Sequence, residues 1–386
     1  MERPTFTVDG NRLTLLPEGP ERLDALIALI DGARRSLRLL FYIYAADRSG
    51  TRVNAALADA ARRGVTVSLV IDGFGSDDTD TAFFDDIRAA GVDVCRFEPR
   101  FGRRYLLRNH QKLALADAED SPRIIVGGFN VADDYFGTAK DGAWRDLGLL
   151  VEGPAARRLA PYHDALRQVI ENPKLRVRPL NKILADFSET QGPLRWLIGG
   201  PTRRLSPWAR TVRTDMRRSR TIDIIAAYFT PSPSILRRLK REGAAGQCVR
   251  VITAAKSDNS ATIAAARFTY AGLLRRGVEI FEYRATKLHT KLYVIDDAVH
   301  IGSANLDMRS LFVNLELMLR VEDRAFADHL RGYVDGEIAA SEAITPELYA
   351  KRTGWMQRVR QFAAYVVIGV VDPGVSRGVN FGVDEV

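Results

Sequence analysis

Cysteine, histidine and long apolar runs are scarce in this sequence of 386 residues. Its two cysteines, Cys95 and Cys248, are too few for a disulfide framework, and their apolar, strand-like surroundings predict buried thiols of a reducing compartment. No basic segment followed by an apolar one opens the sequence, so we expect no signal peptide. The longest apolar run, residues 362–371, falls short of the roughly 18 residues that a membrane-spanning helix needs. These absences argue against a secreted protein and against one that spans a membrane by helices.

The positive charge of the chain is concentrated in one segment. The formal net charge is +8, yet residues 174–220 alone hold twelve Lys or Arg against three acids, Asp186, Glu189 and Asp215. A basic surface of this kind binds a polyanion, either nucleic acid or an anionic bilayer. A solvated linker explains the charge equally well, and composition alone leaves these alternatives open.

The sequence is a tandem duplication of one alternating pattern. Residues 34–44 and 219–229 are each typical of a buried strand, and each is followed by a helix, a second strand, another helix and a third strand. Strands that are apolar along their length and alternate with helices predict an α/β fold whose sheets are buried on both faces. We expect two similar halves, residues 1–172 and 219–341, related by pseudo-twofold symmetry and joined by a basic linker at 173–218.

The duplicated pattern ends near residue 341, and residues 342–386 form a distinct tail. Trp355, Arg358 and Arg360 precede the apolar run 362–371, an arrangement typical of a helix that lies in a membrane interface. A C-terminal helix packed on the core explains the same pattern. Both interpretations stay open at the level of sequence.

Each half contains the same short set of polar residues, which are His110, Lys112 and Asn130 in the first half and His289, Lys291 and Asn305 in the second. The His and Lys of each set are two residues apart, so in a strand they project from the same face. Two such sets in two similar halves predict one composite site at the interface between the halves. Imidazole can attack phosphorus and transfer protons, and ammonium and amide groups stabilise an oxyanion. The site therefore suits a phosphodiester, with one histidine attacking phosphorus and the other protonating the departing alkoxide.

Two kinds of carboxylate accompany these sets. An attacking histidine needs a carboxylate on its other nitrogen to fix its tautomer, and Asp146 and Glu316 lie downstream of the two motifs in apolar surroundings. Asp117 and Asp296 stand five residues after the two lysines, at the ends of the motif strands. We expect Asp117 and Asp296 to fix a turn or pair with a neighbour and not to donate protons.

Metal and nucleotide binding are both disfavoured. A hydrolytic metal site needs three or more converging neutral His or carboxylate ligands, and two lysines in the pocket would oppose a cation. The phosphate-binding pattern G-x-x-x-x-G-K-[ST] does not occur in the sequence. We therefore expect no metal and no other cofactor.

These residues resemble the phospholipase D superfamily, and within it the bacterial cardiolipin synthases. The resemblance extends from about residue 10 to residue 340 and is carried by "GGFNVADDYFG", "AWRDLGLLVEGPA" and "GSANLDMRSLFVNLE" as well as by the two motifs. The motif residues that it implies as catalytic are His110, Lys112, Asp117, His289, Lys291 and Asp296. It further implies a phosphohistidine on His110, with His289 as acid and base.

The resemblance also implies roles for the remaining polar residues. The groups that would grip the phosphate are Lys112, Asn130, Lys291 and Asn305, and those that would orient the imidazoles are Asp146 and Glu316. The implied reaction is phosphatidyl transfer between two phosphatidylglycerol molecules, giving cardiolipin and glycerol. Alternatives with the same mechanism are a phospholipase D, in which water is the acceptor, and a nuclease; a non-enzymatic lipid-binding scaffold would be favoured only by a broken motif, and neither motif is broken.

The resemblance finally implies where the protein acts. We expect anionic phospholipids and a membrane surface as partners, no nucleic acid, and a peripheral position on the cytoplasmic side of the cell membrane. Residues 101–108, "FGRRYLLR", directly precede the first motif and are candidates for the headgroup entrance.

Overall fold

The computed structural model describes residues 4–98, 107–171, 177–202 and 204–371. The first half forms a mixed sheet of eight strands in the order β1-β2-β8-β7-β6-β3-β4-β5. Its strands are β1 Thr5–Val8, β2 Asn11–Leu16, β3 Ser36–Phe41, β4 Thr66–Asp72, β5 Asp93–Phe97, β6 Leu113–Ala116, β7 Arg123–Gly127 and β8 Gly148–Glu152. The first motif enters β6, a strand in the middle of this sheet, which fixes its backbone firmly.

The second half repeats this arrangement in another sheet of eight strands, in the order β18-β13-β12-β10-β14-β15-β17-β9. The strands from residue 194 onward, including the short pair β11 and β16, are β9 Leu194–Gly199, β10 Thr221–Ala226, β11 Phe229–Thr230, β12 Cys248–Ala254, β13 Glu279–Tyr283, β14 Lys291–Ile295, β15 Ala298–Gly302, β16 Leu306–Asp307, β17 Glu316–Glu322 and β18 Ser341–Ala343. The second motif enters β14, which holds the same central place as β6, so the predicted duplication is confirmed.

Helices cover the outer faces of both sheets and fill part of the space between them. They are α1 Gly19–Asp31, α2 Arg48–Arg62, α3 Asp85–Ala89, α4 Asp133–Phe136, α5 Pro154–Arg157, α6 Ala160–Glu171, α7 Val177–Phe187, α8 Pro207–Asp215, α9 Pro233–Ala244, α10 Ser260–Leu274, α11 Met308–Phe312, α12 Arg324–Ala339, α13 Pro346–Arg352 and α14 Trp355–Val366. A π-helical turn, Val367–Val371, continues α14.

Three apolar clusters form the core. One cluster packs the outer face of the first sheet against α1 and α2. Another packs the outer face of the second sheet against α8, α9 and α10. The largest contains side chains of both sheets, such as Leu115 and Leu292, together with α6 and α12. Because this central cluster belongs to both halves, burial of apolar surface fixes how the two sheets face each other.

Backbone contacts across the interface repeat with the same symmetry. Asn109 pairs with Leu315 in an isolated bridge, and Arg145 pairs with Leu288. In each case the residue just before a His-x-Lys motif contacts the residue just before a predicted orienting carboxylate of the other half. The interface therefore brings each motif to the opposite carboxylate.

Part of the expected linker is folded into the second half. Within 173–218, α7 and α8 form, and β9 pairs antiparallel with β17 as an edge strand of the second sheet. Leu194, Trp196 and Ile198 of β9 are buried. The expected boundary at 219 is thus wrong, because a short apolar run inside the basic segment supplies a strand.

The structure also bears on the expected burial of the cysteines and on the expected absence of a membrane-spanning helix. Cys248 is exposed at the start of β12 and Cys95 is half-buried, so the predicted burial of Cys248 is wrong. Residues 101–106 of the suggested headgroup entrance and 372–386 of the tail lie outside the described residues. Within the part of the chain that the structure describes, each helix is too short or too polar to cross a bilayer.

Candidate active site

His110 lies at the interface between the halves and is held by a carboxylate of the second half. Its Nδ1 is 3.1 Å from both Oε1 and Oε2 of Glu316. The His110 backbone N–H donates to the carbonyl of Leu315 at 2.9 Å. Burial lowers the pKa of His110 to about 4, against the opposing effect of Glu316. The imidazole is therefore neutral near pH 7, with Nδ1 engaged and Nε2 left to act as a nucleophile.

His289 has the mirror-image arrangement with a carboxylate of the first half. Its Nδ1 lies 2.6 Å from Asp146 Oδ2, and its backbone N–H donates to the carbonyl of Arg145 at 2.7 Å. Burial and the nearby Lys291 charge lower the pKa of His289 to about 3. A bound phosphate and a developing alkoxide add negative charge beside this ring, which favours the protonated form that an acid needs.

The sequence left open which carboxylate serves which histidine, and the structure shows an exchange between the halves. Asp146 follows the first motif but contacts His289, and Glu316 follows the second motif but contacts His110. Space for Asp146 depends on the first glycine-rich turn, because a Cβ at Gly128 would lie 2.5 Å from Asp146 Oδ1. Glycine at 128 is thus required by close approach to the carboxylate.

Both lysines of the motifs are buried beside their histidines. Lys112 Nζ donates to the His110 carbonyl at 2.5 Å, and Lys291 Nζ lies 2.7 Å from His289 Nδ1. Burial lowers the pKa of Lys112 and lowers that of Lys291 to about 8, while Asp146 and Glu316 oppose the shift. Two ammonium groups close to two carboxylates provide positive charge for a phosphate in a site largely shielded from water.

Asn130 and Asn305 occupy equivalent places on either side of one cavity. Their Oδ1 atoms accept from the backbone N–H of Ile43 at 3.0 Å and of Tyr228 at 3.3 Å. Both asparagine side chains are buried. The cavity encloses about 580 Å³ and is lined by both asparagines and both motif histidines. The structure thus brings together the residues predicted to bind and attack a phosphodiester.

Asp117 and Asp296 lie away from this cavity. Asp117 Oδ1 accepts from the backbone N–H groups of Arg34 and Arg35 at 3.0 and 2.8 Å. Asp296 Oδ1 accepts from those of Arg220 and Thr221 at 2.9 and 3.0 Å.

The two aspartates are part of the sequence motif, but their side chains do not lie with the catalytic groups. A strand rises about 3.3 Å per residue, so five residues place Asp117 about 16 Å from Lys112. Their inclusion among the catalytic residues is corrected: both anchor the start of a neighbouring strand, the supporting role expected from their position at strand ends.

Several residues that support the site carried no clear sequence signal. Ser303 and Ser310 donate to Glu316 Oε2 and Oε1 at 2.5 and 2.8 Å, which satisfies a carboxylate with no exposed surface. Arg22, itself buried, donates to the Asp146 carbonyl at 2.6 Å. The serines lie in the stretches "GSAN" and "MRSL", but their spacing in the sequence does not predict that they contact Glu316.

Aromatic rings enclose each imidazole. The Tyr42 ring is 4.9 Å from that of His110, and Tyr135 and Trp144 lie 5.1 and 5.2 Å from His289. These rings hold the imidazoles in place and exclude water from their sides. The whole arrangement supports in-line attack on phosphorus by one histidine and protonation of the leaving group by the other.

Fold and site together define a phosphotransfer enzyme with two half-sites in one chain, the arrangement of the phospholipase D superfamily. The family model described as cardiolipin synthase, PLD-like domain, matches residues 26–154 and 214–337. These ranges contain both motifs and both orienting carboxylates. The chain belongs to this family.

Individual relatives agree with this assignment over most of the chain. A cardiolipin synthase of Listeria monocytogenes serotype 4a is 31% identical over 363 residues, covering 90% of this chain and 73% of that relative. Cardiolipin synthase 1 of Staphylococcus aureus MRSA252 is 29% identical over 367 residues, covering 91% and 72%. The crystal structure of a Haemophilus influenzae phosphatidylserine synthase superposes with a TM-score of 0.72 at 12% identity and covers 97% of both chains, which shows a shared fold.

Proposed function

We propose that this protein is a cardiolipin synthase that transfers a phosphatidyl group from one phosphatidylglycerol to another. The observation that carries the proposal is the exchanged pair of His–carboxylate contacts that face one cavity. The match to a cardiolipin synthase, which covers 90% of this chain, supports the same reaction. Lipid-to-lipid transfer needs a covalent intermediate that survives until an alcohol replaces the first product. A buried, neutral histidine nucleophile supplies it.

The reaction proceeds in two displacements. His110 Nε2 bonds to phosphorus, the bond from phosphorus to the glycerol oxygen breaks, and His289 gives a proton to that oxygen. In the second step a hydroxyl of another phosphatidylglycerol gives its proton to His289, bonds to phosphorus and releases His110. Lys112, Lys291 and the amides of the two asparagines stabilise the phosphate oxygens in both steps.

The decisive experiment follows lipid products from purified protein. Vesicles of labelled phosphatidylglycerol are incubated with the wild type and with His110→Ala, and the lipids are analysed by mass spectrometry. Cardiolipin with an equal amount of free glycerol, absent in the variant, supports the proposal. Phosphatidic acid without cardiolipin would assign a phospholipase D, and cleavage of DNA or RNA without lipid turnover would assign a nuclease.

A membrane surface is the expected partner, and we propose that the protein acts as a peripheral protein on the cytoplasmic side of the cell membrane. Exposed large hydrophobic side chains gather on α10, α14 and the turn that follows; they are Phe268, Trp355, Met356, Val359, Phe362, Val367 and Val371. Trp355 alone is 75% exposed. An apolar group of this kind is costly in water and favours an interface.

One face of α14 packs on the core, and its other face exposes apolar residues that could lie in a membrane interface. The helix packs on α10, where Phe268 lies 5.5 Å from Phe362 and 4.9 Å from Tyr365 between ring centroids. Arg358 and Arg360 are exposed beside the apolar residues, and Val367 contributes to the wall of the catalytic cavity. This surface, called here the α14 surface, therefore supports contact with anionic lipid next to the site entrance.

Vesicle binding tests the α14 surface separately from catalysis. We expect the wild type to sediment with phosphatidylglycerol vesicles. The variant Trp355→Ser/Val359→Ser should lose most of this binding, because it removes apolar side chains from the α14 surface. Both side chains are solvent-exposed, so the substitutions leave the core intact. Arg358→Gln/Arg360→Gln should weaken binding to anionic vesicles while the weak binding to phosphatidylcholine vesicles stays unchanged. Equal binding by all variants would contradict this surface as the point of contact.

A further inference from the structure

The charges that line the catalytic cavity are divided between its two ends. Arg108 and Arg309 both line the cavity. Burial raises the pKa of Tyr42, and the positive charges of Arg108 and Arg309 both oppose that shift, so both lie near the Tyr42 hydroxyl. The Tyr42 ring packs against His110 at 4.9 Å. Two guanidinium groups thus lie at the end of the cavity beside His110. The acid Asp307, which also lines the cavity, accepts a backbone N–H at the start of α11 at 2.9 Å.

The end of the cavity beside His289 carries a carboxylate instead. Asp258 lines the cavity, remains accessible to solvent, and accepts hydrogen bonds from the Tyr228 hydroxyl at 2.7 Å and from Ser257 at 2.8 Å. Burial alone would raise the pKa of Asp258, but these hydrogen bonds and the nearby His289 lower it. Asp258 is therefore ionised at neutral pH and oriented by its neighbours.

The equivalent loops of the two halves have different tasks. Thr66 and Cys248 begin equivalent strands, since they pair with Ser36 and Thr221 respectively. Ten residues after these strand starts, the first half has Ser76 and the second has Asp258. Ser76 is buried, donates to the Tyr42 carbonyl and accepts from the Tyr44 N–H, so it closes a turn. Asp258 instead accepts from the Tyr228 and Ser257 hydroxyls, and its carboxylate reaches the cavity.

We propose that Asp258, positioned by Tyr228, forms the alcohol subsite of the enzyme, which binds the glycerol hydroxyls of the leaving group and of the attacking lipid. This inference rests on the proposed function and names the residue that selects its alcohol. Phosphate is drawn to the cationic end beside His110 and repelled by a carboxylate, so the alcohol end of the headgroup faces Asp258. There the reacting oxygen meets His289 while a neighbouring hydroxyl donates to the carboxylate. Because the second displacement reverses the first, one subsite serves both alcohols.

A competition between two alcohols tests the subsite. Glycerol has a hydroxyl next to the one that reacts, whereas 1-propanol has none to offer Asp258. Phosphatidylglycerol vesicles are incubated with deuterated glycerol and 1-propanol together, and labelled phosphatidylglycerol and phosphatidylpropanol are quantified. Both products form from the same adduct, so their ratio depends on the acceptor alone. We expect Asp258→Asn to lower the ratio of labelled phosphatidylglycerol to phosphatidylpropanol about tenfold, whatever its effect on adduct formation.

Controls separate a subsite from a structural role. Asp59→Asn, on the exposed face of α2 where Asp59 pairs with Arg62, should leave the ratio of the two products at the wild-type value. Tyr228→Phe frees the Asp258 carboxylate from one hydrogen bond and should change the ratio in the same direction as Asp258→Asn, but less. Equal losses for both alcohols in Asp258→Asn, or no change in the ratio, would overturn the proposal.

The subsite can be tested even if the proposed function fails. If the wild type forms phosphatidic acid and no cardiolipin, the same preference is measured on the leaving group by comparing hydrolysis of phosphatidylglycerol with that of phosphatidylpropanol. Loss of the preference for phosphatidylglycerol in Asp258→Asn would support the subsite while the transferase assignment falls. An unchanged preference would overturn the subsite alone.

Discussion

The two half-sites have the same plan but different surroundings. His110 is held by both oxygens of Glu316, which two serines also hold, whereas His289 contacts one oxygen of Asp146 at a shorter distance. Cationic side chains lie near the first ring, and the carboxylate of Asp258 lies near the second. A nucleophile that forms a bond to an anion gains from positive charge, and an acid that serves alcohols gains from a hydroxyl acceptor. These differences support the proposal that His110 attacks phosphorus and His289 transfers protons.

The largest expected effect separates the two histidines by their intermediates. His110→Ala should abolish turnover, because no bond to phosphorus can form. His289→Ala should reduce turnover by about 10⁴-fold but still form the adduct from a lipid with a good leaving group, since no acid is then needed. Intact-protein mass spectrometry of both variants with phosphatidyl-p-nitrophenol checks this. An adduct in His110→Ala but not in His289→Ala would reverse the roles.

Removing the charge of each orienting carboxylate tests the exchange between the halves. We expect Glu316→Gln and Asp146→Asn each to lower kcat by about 10³-fold, because the histidine loses the partner that fixes its tautomer. A p-nitrophenol leaving group should restore the rate of adduct formation in Asp146→Asn and not in Glu316→Gln. Rapid-quench measurement of the adduct distinguishes them, and rescue of Glu316→Gln would contradict its link to His110.

The pH dependence should report one group from each half-site. The rate should fall as the pH drops through about 4, where His110 gains a proton and loses its lone pair. It should also fall as the pH rises through about 8, where Lys291 loses its charge. The kcat/KM profile checks both limbs. Lys291→Arg, charged at all these values, should remove the alkaline limb even if the maximum is lower; persistence of that limb would exclude Lys291 as its source.

The serine pair should matter only to the first half-site. Ser303→Ala/Ser310→Ala leaves Glu316 buried with fewer donors, and hydrogen bonds to a charged group are worth about 1.5–3 kcal/mol. We expect the carboxylate to hold a proton at higher pH, so the acid limb moves upward and adduct formation slows about tenfold at neutral pH. An unchanged acid limb would show that the serines do not act through Glu316.

The smallest effects on activity are expected at the two motif aspartates. Asp117→Asn and Asp296→Asn weaken the bonds to backbone N–H groups and should lower the free energy of unfolding by about 1–3 kcal/mol. Asp117 should cost more, because it is 2% exposed and also lies 3.7 Å from Arg123. Urea unfolding measures the cost, and activity below the transition should stay within a few-fold of wild type. Loss of activity without loss of stability would return them to the catalytic group.

Sequence reasoning reached the parts of the molecule that repeat. Two His-x-Lys sets in a duplicated α/β pattern implied a shared site, and Asp146 and Glu316 were identifiable because an acid in an apolar strand needs a partner. The exchange of these acids was beyond the sequence, because it depends on how two complete sheets dock. Ser303, Ser310 and Asp258 were missed for the same reason: each acts on a neighbour that only folding supplies.

Charge and cysteine patterns were less informative than periodicity. The basic content of residues 173–218 concealed β9, whose apolar residues are few but buried on the edge of the second sheet. Cys248 was expected inside because its strand is apolar, yet it is the first residue of that strand and lies outside. Element ends and short edge strands depend on tertiary contacts that local patterns do not contain.

The exchanged carboxylates make each half-site depend on both halves of the chain. His110 is made about two hundred residues before Glu316, the group it contacts across a sequence separation of 206. A nascent or half-folded chain thus contains His110 without the carboxylate that orients it. Both halves must therefore fold and dock before either histidine is held in place for reaction.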